Sequence, residues 1–151
     1  MAITDVKEII KQAAQQEEKA HKFYTDALKY VKDAAARLWI KELADEELKH
    51  KDMLQKFDAS KITNFKPSKK IHDLHITEYL VDKDIAEIKD FQDVLIVAMK
   101  KEQKSYNFYV GMAKSADNAD IKKLCKILAQ EELKHKHKLE LYYDDIVFKE
   151  D

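Results

Sequence analysis

The sequence predicts an all-α protein, a bundle of four helices made from two copies of one helical hairpin joined by a long crossover. Three observations carry that expectation. The 151 residues include one glycine and one proline, which leaves little room for hairpin turns or phosphate-cradling loops. Apolar residues recur at spacings of three and four through four separate stretches, as in helices that bury one face. The segment LADEELKH at 43–50 returns almost letter for letter as LAQEELKH at 128–135. A chain of this length is about one domain, with enough residues to bury a core unaided by disulfides or structural metal.

The first hairpin is expected over residues 4–57. Thr4 or Asp5 can cap the first helix, whose stripe reads Val6, Ile9/Ile10, Ala13, Glu17, Ala20, Tyr24, Ala27/Leu28, Val31. A short turn at Lys32 and Asp33 makes the second helix an antiparallel neighbour, with the stripe Ala36, Trp39/Ile40, Leu43, Glu47, His50, Leu54, Phe57. Residues 58–89 break the rhythm: Pro67 biases Lys66 away from helix, Asn64 and Ser68 are turn formers, and apolar anchors are scattered. A link of about thirty residues can run the length of a bundle, which is the connection of ferritin-like topology. His72 and His75 lie in it at a spacing of three and read as surface or anchoring residues.

The second hairpin is expected over residues 90–142. Asp90 caps its first helix, with Asp93 placed to return the bond, and the stripe is Phe91, Leu95, Ala98, Glu102, Ser105, Tyr109, Met112. Its second helix starts at Asp117 or Asn118 and reads Ile121, Leu124/Cys125, Leu128, Glu132, His135, Leu139, Tyr142. Residues 143–151 form a C-terminal extension whose Ile146, Val147 and Phe148 suggest packing, as further helix or as a folded-back tail. Cys125, the lone cysteine, reads as a buried, inert thiol.

Charge is balanced, 28 basic against 29 acidic residues with the signs interspersed, which gives no case for a nucleic-acid or anionic-membrane partner. No run is apolar enough to span a membrane or serve as a signal peptide, so a cytoplasmic location is the default expectation.

Sliding residues 13–57 onto 98–142 gives 17 identities in 45 positions, which points to duplication of a hairpin. The duplication implies a pseudo-twofold axis, expected along the bundle, and places Glu17, Glu47 and His50 opposite Glu102, Glu132 and His135. All six interrupt apolar stripes, and in each ExxH pair the Glu and the His share a helix face. A buried carboxylate without a partner costs several kcal/mol or takes up a proton. No Arg or Lys occupies these stripes. Four ionised carboxylates balance two divalent cations, and two neutral imidazoles add nitrogen donors, so a dinuclear metal site explains the pattern better than structural polar residues do. The donors suit iron or manganese, and zinc is compatible with them. By analogy with di-iron carboxylate bundles, Glu47 and Glu132 bridge, Glu17 and Glu102 bind terminally, and His50 and His135 serve one ion each. Tyr24 and Tyr109, two turns after Glu17 and Glu102, are placed to donate a phenol to the opposite hairpin's carboxylate, or else fill core. His21 and His137 read as non-ligands.

The pattern E-x-x-A-x-x-F-Y from Glu17 with LADEELKH, and E-x-x-S-x-x-F-Y from Glu102 with LAQEELKH, closely resembles the rubrerythrin branch of the ferritin-like superfamily. The match covers both hairpins. It implies two iron ions held by the six residues, and a non-haem di-iron oxidoreductase that reduces hydrogen peroxide or reacts with oxygen. Ferrous-iron oxidation in iron handling and a non-catalytic metal-stabilised bundle are the alternatives. Two departures stand out. Rubrerythrins carry an additional Glu three residues after the isolated Glu of the third helix, where this chain has Ser105. They also carry a rubredoxin domain with two CxxC pairs, whereas one cysteine is present here, so a peroxide reductase would need an external electron donor such as rubredoxin. Ferritin-like bundles commonly pair, which makes a homodimer an expectation of the resemblance alone.

Overall fold

Two helical hairpins facing each other across a layer of buried charge make up the computed structural model, which describes residues 6–57, 77–80 and 83–149. Helix α1 (Val6–Ala27) tightens into a 3₁₀ turn (Leu28–Tyr30) and is followed by α2 (Ala34–Gln55). Short 3₁₀ turns at Thr77–Tyr79 and Ile85–Glu87 precede α3 (Phe91–Ser115) and α4 (Ala119–Lys149). Helices α1 and α2 pack along each other, as do α3 and α4.

Side-chain caps set most of the helix starts. Asp33 accepts from the Ala36 amide at 2.9 Å, Asp90 from the Asp93 amide at 2.9 Å, and Asn118 from the amides of Asp120 and Ile121 at 2.9 and 3.0 Å. Asp93 does not return the bond to Asp90. Its carboxylate instead takes the Lys89 amide at 3.0 Å and the Lys83 ammonium at 2.6 Å, tying the end of the crossover to α3. Arg37 closes the first hairpin by donating to the Leu28 and Val31 carbonyls at 2.6 and 2.8 Å, in the connection between α1 and α2. The capping positions Thr4 and Asp5, and His72 and His75, lie outside the described residues.

Apolar side chains form two clusters, one on each side of the charged layer. One gathers Tyr24, Val31, Ile40, Leu43, Leu95, Met99 and Leu139, and the other gathers Ile9, Leu54, Tyr109, Ile121, Leu124 and Leu128. Each fully buried side chain of this kind stabilises the fold by about 1.5–3 kcal/mol, which offsets the cost of the charges between. Cys125 is buried in the second cluster, and desolvation pushes its thiol up to about 11, consistent with an inert side chain.

Cluster membership corrects the expected symmetry axis. Tyr24 and its repeat mate Tyr109 lie in opposite clusters, so repeat-related residues sit at opposite ends of the bundle. The pseudo-twofold axis therefore crosses the bundle instead of running along it, and α2 and α3 run in the same direction. Spacing along one helix cannot distinguish these axes; the path of the crossover decides.

Helix α4 continues through most of the C-terminal extension. Tyr142 stacks on Trp39, with centroids 5.0 Å apart, and meets Phe91 edge-on at 5.5 Å, while Tyr143 and Ile146 pack on the first cluster. Among the described residues no helix is long and apolar enough to cross a membrane.

Candidate metal centre

The charged layer holds the six residues that interrupt the stripes. Glu17 comes from α1, Glu47 and His50 from α2, Glu102 from α3, and Glu132 and His135 from α4, and each is at most 5% exposed. Their donor atoms form two overlapping groups. Glu17, Glu47, His50 and Glu132 lie within 4.8 Å of one another, as do Glu47, Glu102, Glu132 and His135, so Glu47 and Glu132 belong to both. The two imidazoles lie side by side, with centroids 5.6 Å apart and planes at 11°.

Many of these atoms face each other without bonding. His135 Nδ1 is 2.8 Å from Glu47 Oε1, yet neither atom makes a hydrogen bond. Glu17 Oε2, Glu47 Oε2, Glu102 Oε2 and Glu132 Oε2 are likewise buried without partners. Orphaned buried acceptors are rare because each costs about 1–3 kcal/mol, so a concentration of them in one layer points to a bound cation. Two of the remaining oxygens are held from outside the layer and the third from within it. Tyr24 donates to Glu102 Oε1 and Tyr109 to Glu17 Oε1, both at 2.5 Å and both across hairpins. His50 Nδ1 lies 3.0 Å from Glu132 Oε1.

Packing four carboxyls together splits their proton affinities. Burial, with the charge of Glu102 next, lifts Glu47 well above the ordinary 4.5, and burial with the charges of Glu102 and Glu47 does the same to Glu132. Burial also opposes ionisation of Glu17 and Glu102, but the approach of Glu47 and His50 holds Glu17 down, and Glu132 and His135 bring Glu102 to about 2. Burial works against a charged His135, yet the Glu102 carboxylate outweighs it and raises the imidazole well above 6.5. Burial first, then the neighbouring carboxylates, lifts Tyr24 and Tyr109 well above 10, which keeps both phenols as donors. Without metal, protons take the place of cations in this layer.

Glu46 is an addition that the stripes do not reveal. Half-exposed beside Glu47, it meets His135 Nε2 across the hairpins. A carboxylate on Nε2–H leaves the Nδ1 lone pair turned to the cluster, the arrangement that orients metal-ligating imidazoles. The adjacent acid in EE was the available signal, but a helical pattern directs it to solvent. A second unforeseen cluster lies nearby: fully buried Lys136 donates to Glu78 at 2.6 Å, and buried Glu140 accepts from the Thr77 amide and hydroxyl at 2.7 and 2.8 Å. These contacts pin the crossover to α4 one residue from His135. His21 Nδ1 donates to the Ala44 carbonyl at 2.9 Å, away from the cluster, and Glu18 pairs with Lys51 at 2.8 Å on the surface. His137, expected at the surface, is half-buried, and it too stays outside the cluster.

Fold and site together define a ferritin-like helical bundle with a buried carboxylate and histidine cluster able to hold metal. The family profile described as Rubrerythrin matches residues 1–58 and 62–147, and the chain belongs to the rubrerythrin family. In structure the chain is similar to a hypothetical protein from Pyrococcus furiosus, with a TM-score of 0.66 and 24% identity over 93% of this chain and 89% of that one, a likeness of fold. Comparison with curated proteins gives no significant match.

Proposed function

We propose that the cluster is a dinuclear iron centre and that the chain is a non-haem di-iron oxidoreductase acting on hydrogen peroxide or oxygen. The observation that supports this most is the convergence of unbonded carboxylate oxygens and an imidazole nitrogen into two groups that share Glu47 and Glu132. Those two residues would bridge. Glu17 with His50, and Glu102 with His135, would complete the two sets of donors, all oxygen and nitrogen. Manganese and zinc fit the same donors.

Iron held by these residues would supply the redox step, one electron from each ferrous ion to the oxidant. The chain supplies the rest. Tyr24 and Tyr109 fix the outer oxygens of Glu102 and Glu17, leaving the inner ones directed at the centre. Glu46 sets the tautomer of His135. Glu47 and Glu132 release their protons when cations enter, and the two apolar clusters exclude bulk water from the layer.

Ser105 favours a second reading, ferrous-iron oxidation in iron handling. It is half-buried one turn beyond Glu102 and brings no carboxylate where rubrerythrins place their additional Glu. Exposing the anaerobically reduced, iron-loaded protein separately to peroxide and to oxygen distinguishes the two. Oxidation by peroxide is expected to be faster by at least about tenfold, a difference of ~1.4 kcal/mol in barrier. Faster oxidation by oxygen, with repeated turnover of added ferrous iron, supports iron handling instead. A redox-silent metal in the protein as isolated would favour a metal-stabilised bundle.

A further inference from the structure

A cleft of about 450 Å³ lies between α3 and α4. Its apolar lining is Val110, Ala113 and Ala129, which belong to the second apolar cluster or pack on it, and half-buried Tyr106 adds an aromatic ring. Lys114 enters from α3, and Lys122 and Lys126, one turn apart, from α4, and no acid lines the cleft. Among the described residues none of these three ammonium groups has a carboxylate partner. Like charges four residues apart on a helix repel, so Lys122 and Lys126 stand uncompensated.

The duplication shows what the second hairpin has changed. The repeat pairs Tyr106 with His21, Ala113 with Leu28, Lys122 with Arg37 and Gln130 with Asp45. In the first hairpin these positions bond to their own chain: His21 Nδ1 meets the Ala44 carbonyl at 2.9 Å, and Arg37 donates to the Leu28 and Val31 carbonyls. Ala44 and Leu28 are the mates of Ala129 and Ala113, so those bonds cover the ground that the cleft occupies in the second hairpin. There the side chains of Tyr106 and Lys122 make no such bonds, Ala113 is smaller than Leu28, and Gln130 stands in place of an acid. Each difference opens the groove or removes negative charge from it.

We propose that this cleft binds a nucleotide carrying two or three phosphates, its base against Tyr106 and the apolar lining and its phosphates on Lys114, Lys122 and Lys126. A cavity of this size suits a small organic ligand. The lysines select an anion, and the ring and apolar lining select one with a flat, weakly polar body. Inorganic phosphate would leave that lining in water, and a fatty acid, with one charge, would leave most of the ammonium groups unpaired. Gln130 offers an amide to the edge of the base. No Asp or Glu in the lining is placed to hold magnesium beside the phosphates, so the cleft binds and does not transfer phosphate. The inference stands apart from the redox function, since none of the six cluster residues lines the cleft. A larger groove between α1 and α2 also carries Lys7, Lys11 and Lys51, but Glu18 lines it and pairs with Lys51 at 2.8 Å. That groove supplies a control with the same change of charge.

ADP serves as the probe, titrated into the full chain with the dissociation constant as readout, and adenosine and pyrophosphate are the comparison ligands. ADP is expected to bind at least about fivefold more tightly than pyrophosphate, because the base adds a stacking contact. It should exceed adenosine by at least about tenfold, because adenosine forgoes the lysines. Lys122→Glu with Lys126→Glu should weaken ADP binding at least about tenfold, whereas Lys7→Glu with Lys11→Glu leaves it within about twofold. The milder pair Lys122→Gln and Lys126→Gln should fall between the wild type and the glutamate pair, which separates a lost site from a failure to fold. Tyr106→Ala should weaken ADP at least about fivefold and leave pyrophosphate within about twofold. Glu47→Ala should bind ADP as the wild type does, which separates the cleft from phosphate capture by metal in the cluster. Absence of ADP binding, an affinity no greater than that of pyrophosphate, equal weakening by the two glutamate pairs, or loss of ADP binding in Glu47→Ala overturns the proposal.

Discussion

Replacing Glu47 by Ala is expected to leave the bundle folded and to abolish its ability to hold a metal pair. Glu47 belongs to both donor groups, so its loss removes an oxygen donor from each of the two sites at once. Mutation of residues that only support a ligand already costs about 10–100-fold in metal affinity, and loss of a shared ligand should exceed that. The fold survives because burial makes Glu47 a costly carboxyl whose removal also relieves repulsion with Glu102. Glu18→Ala, one residue from Glu17 but on the exposed face with Lys51, should retain full metal content. Metal analysis of both variants after identical loading checks this. Full loading of Glu47→Ala would contradict the assignment.

Removing the metal should lower the melting temperature and change how it depends on pH. In the metal-free cluster Glu47 and Glu132 titrate above their ordinary 4.5, so the folded chain binds more protons than the unfolded one. Their contribution is present below 4.5 and is lost as pH rises through the folded values. His135, raised above 6.5, acts in the same sense, contributing below 6.5 and losing that contribution as pH rises. Glu102, held at about 2, contributes above 4.5 and loses that contribution as pH falls. Glu17, lowered from 4.5, follows it. The chelated protein should therefore melt highest in mild acid, near about pH 5, and lower towards about pH 8. Cations reverse the alkaline trend because they bind deprotonated ligands. With free metal at about a thousand times the dissociation constant, the stabilisation is ~4 kcal/mol, roughly 10 °C for a domain of this size. Melts at the two pH values with and without chelator test this, and identical curves under all four conditions would refute it.

Much of this centre was legible because a carboxylate on an apolar stripe is anomalous. Glu17 and Glu102 carry no motif of their own, and only alignment of the two repeats brought them beside the ExxH pairs. The same alignment placed Tyr24 and Tyr109 on the faces from which they donate across the hairpins. The caps at Asp33, Asp90 and Asn118 were legible as polar residues preceding apolar periodicity. What stayed hidden depends on chain segments distant in sequence. Glu46 points away from its own helix's buried stripe and matters because His135 arrives from the other hairpin. Lys136, in the run KHKHK, looks solvated, and its burial follows from Thr77 and Glu78 lying over α4. The direction of the pseudo-twofold axis belongs to the crossover, whose composition fixes its length and not its path.

The most direct measurement is metal analysis of the purified protein together with the optical spectrum of its oxidised form. A dinuclear iron centre predicts about two irons per chain and near-ultraviolet absorption from a bridging oxygen, both lost on chelation and both absent from Glu47→Ala. Iron-free protein after anaerobic ferrous loading, or a single bound ion unaffected by loss of Glu47, would contradict it.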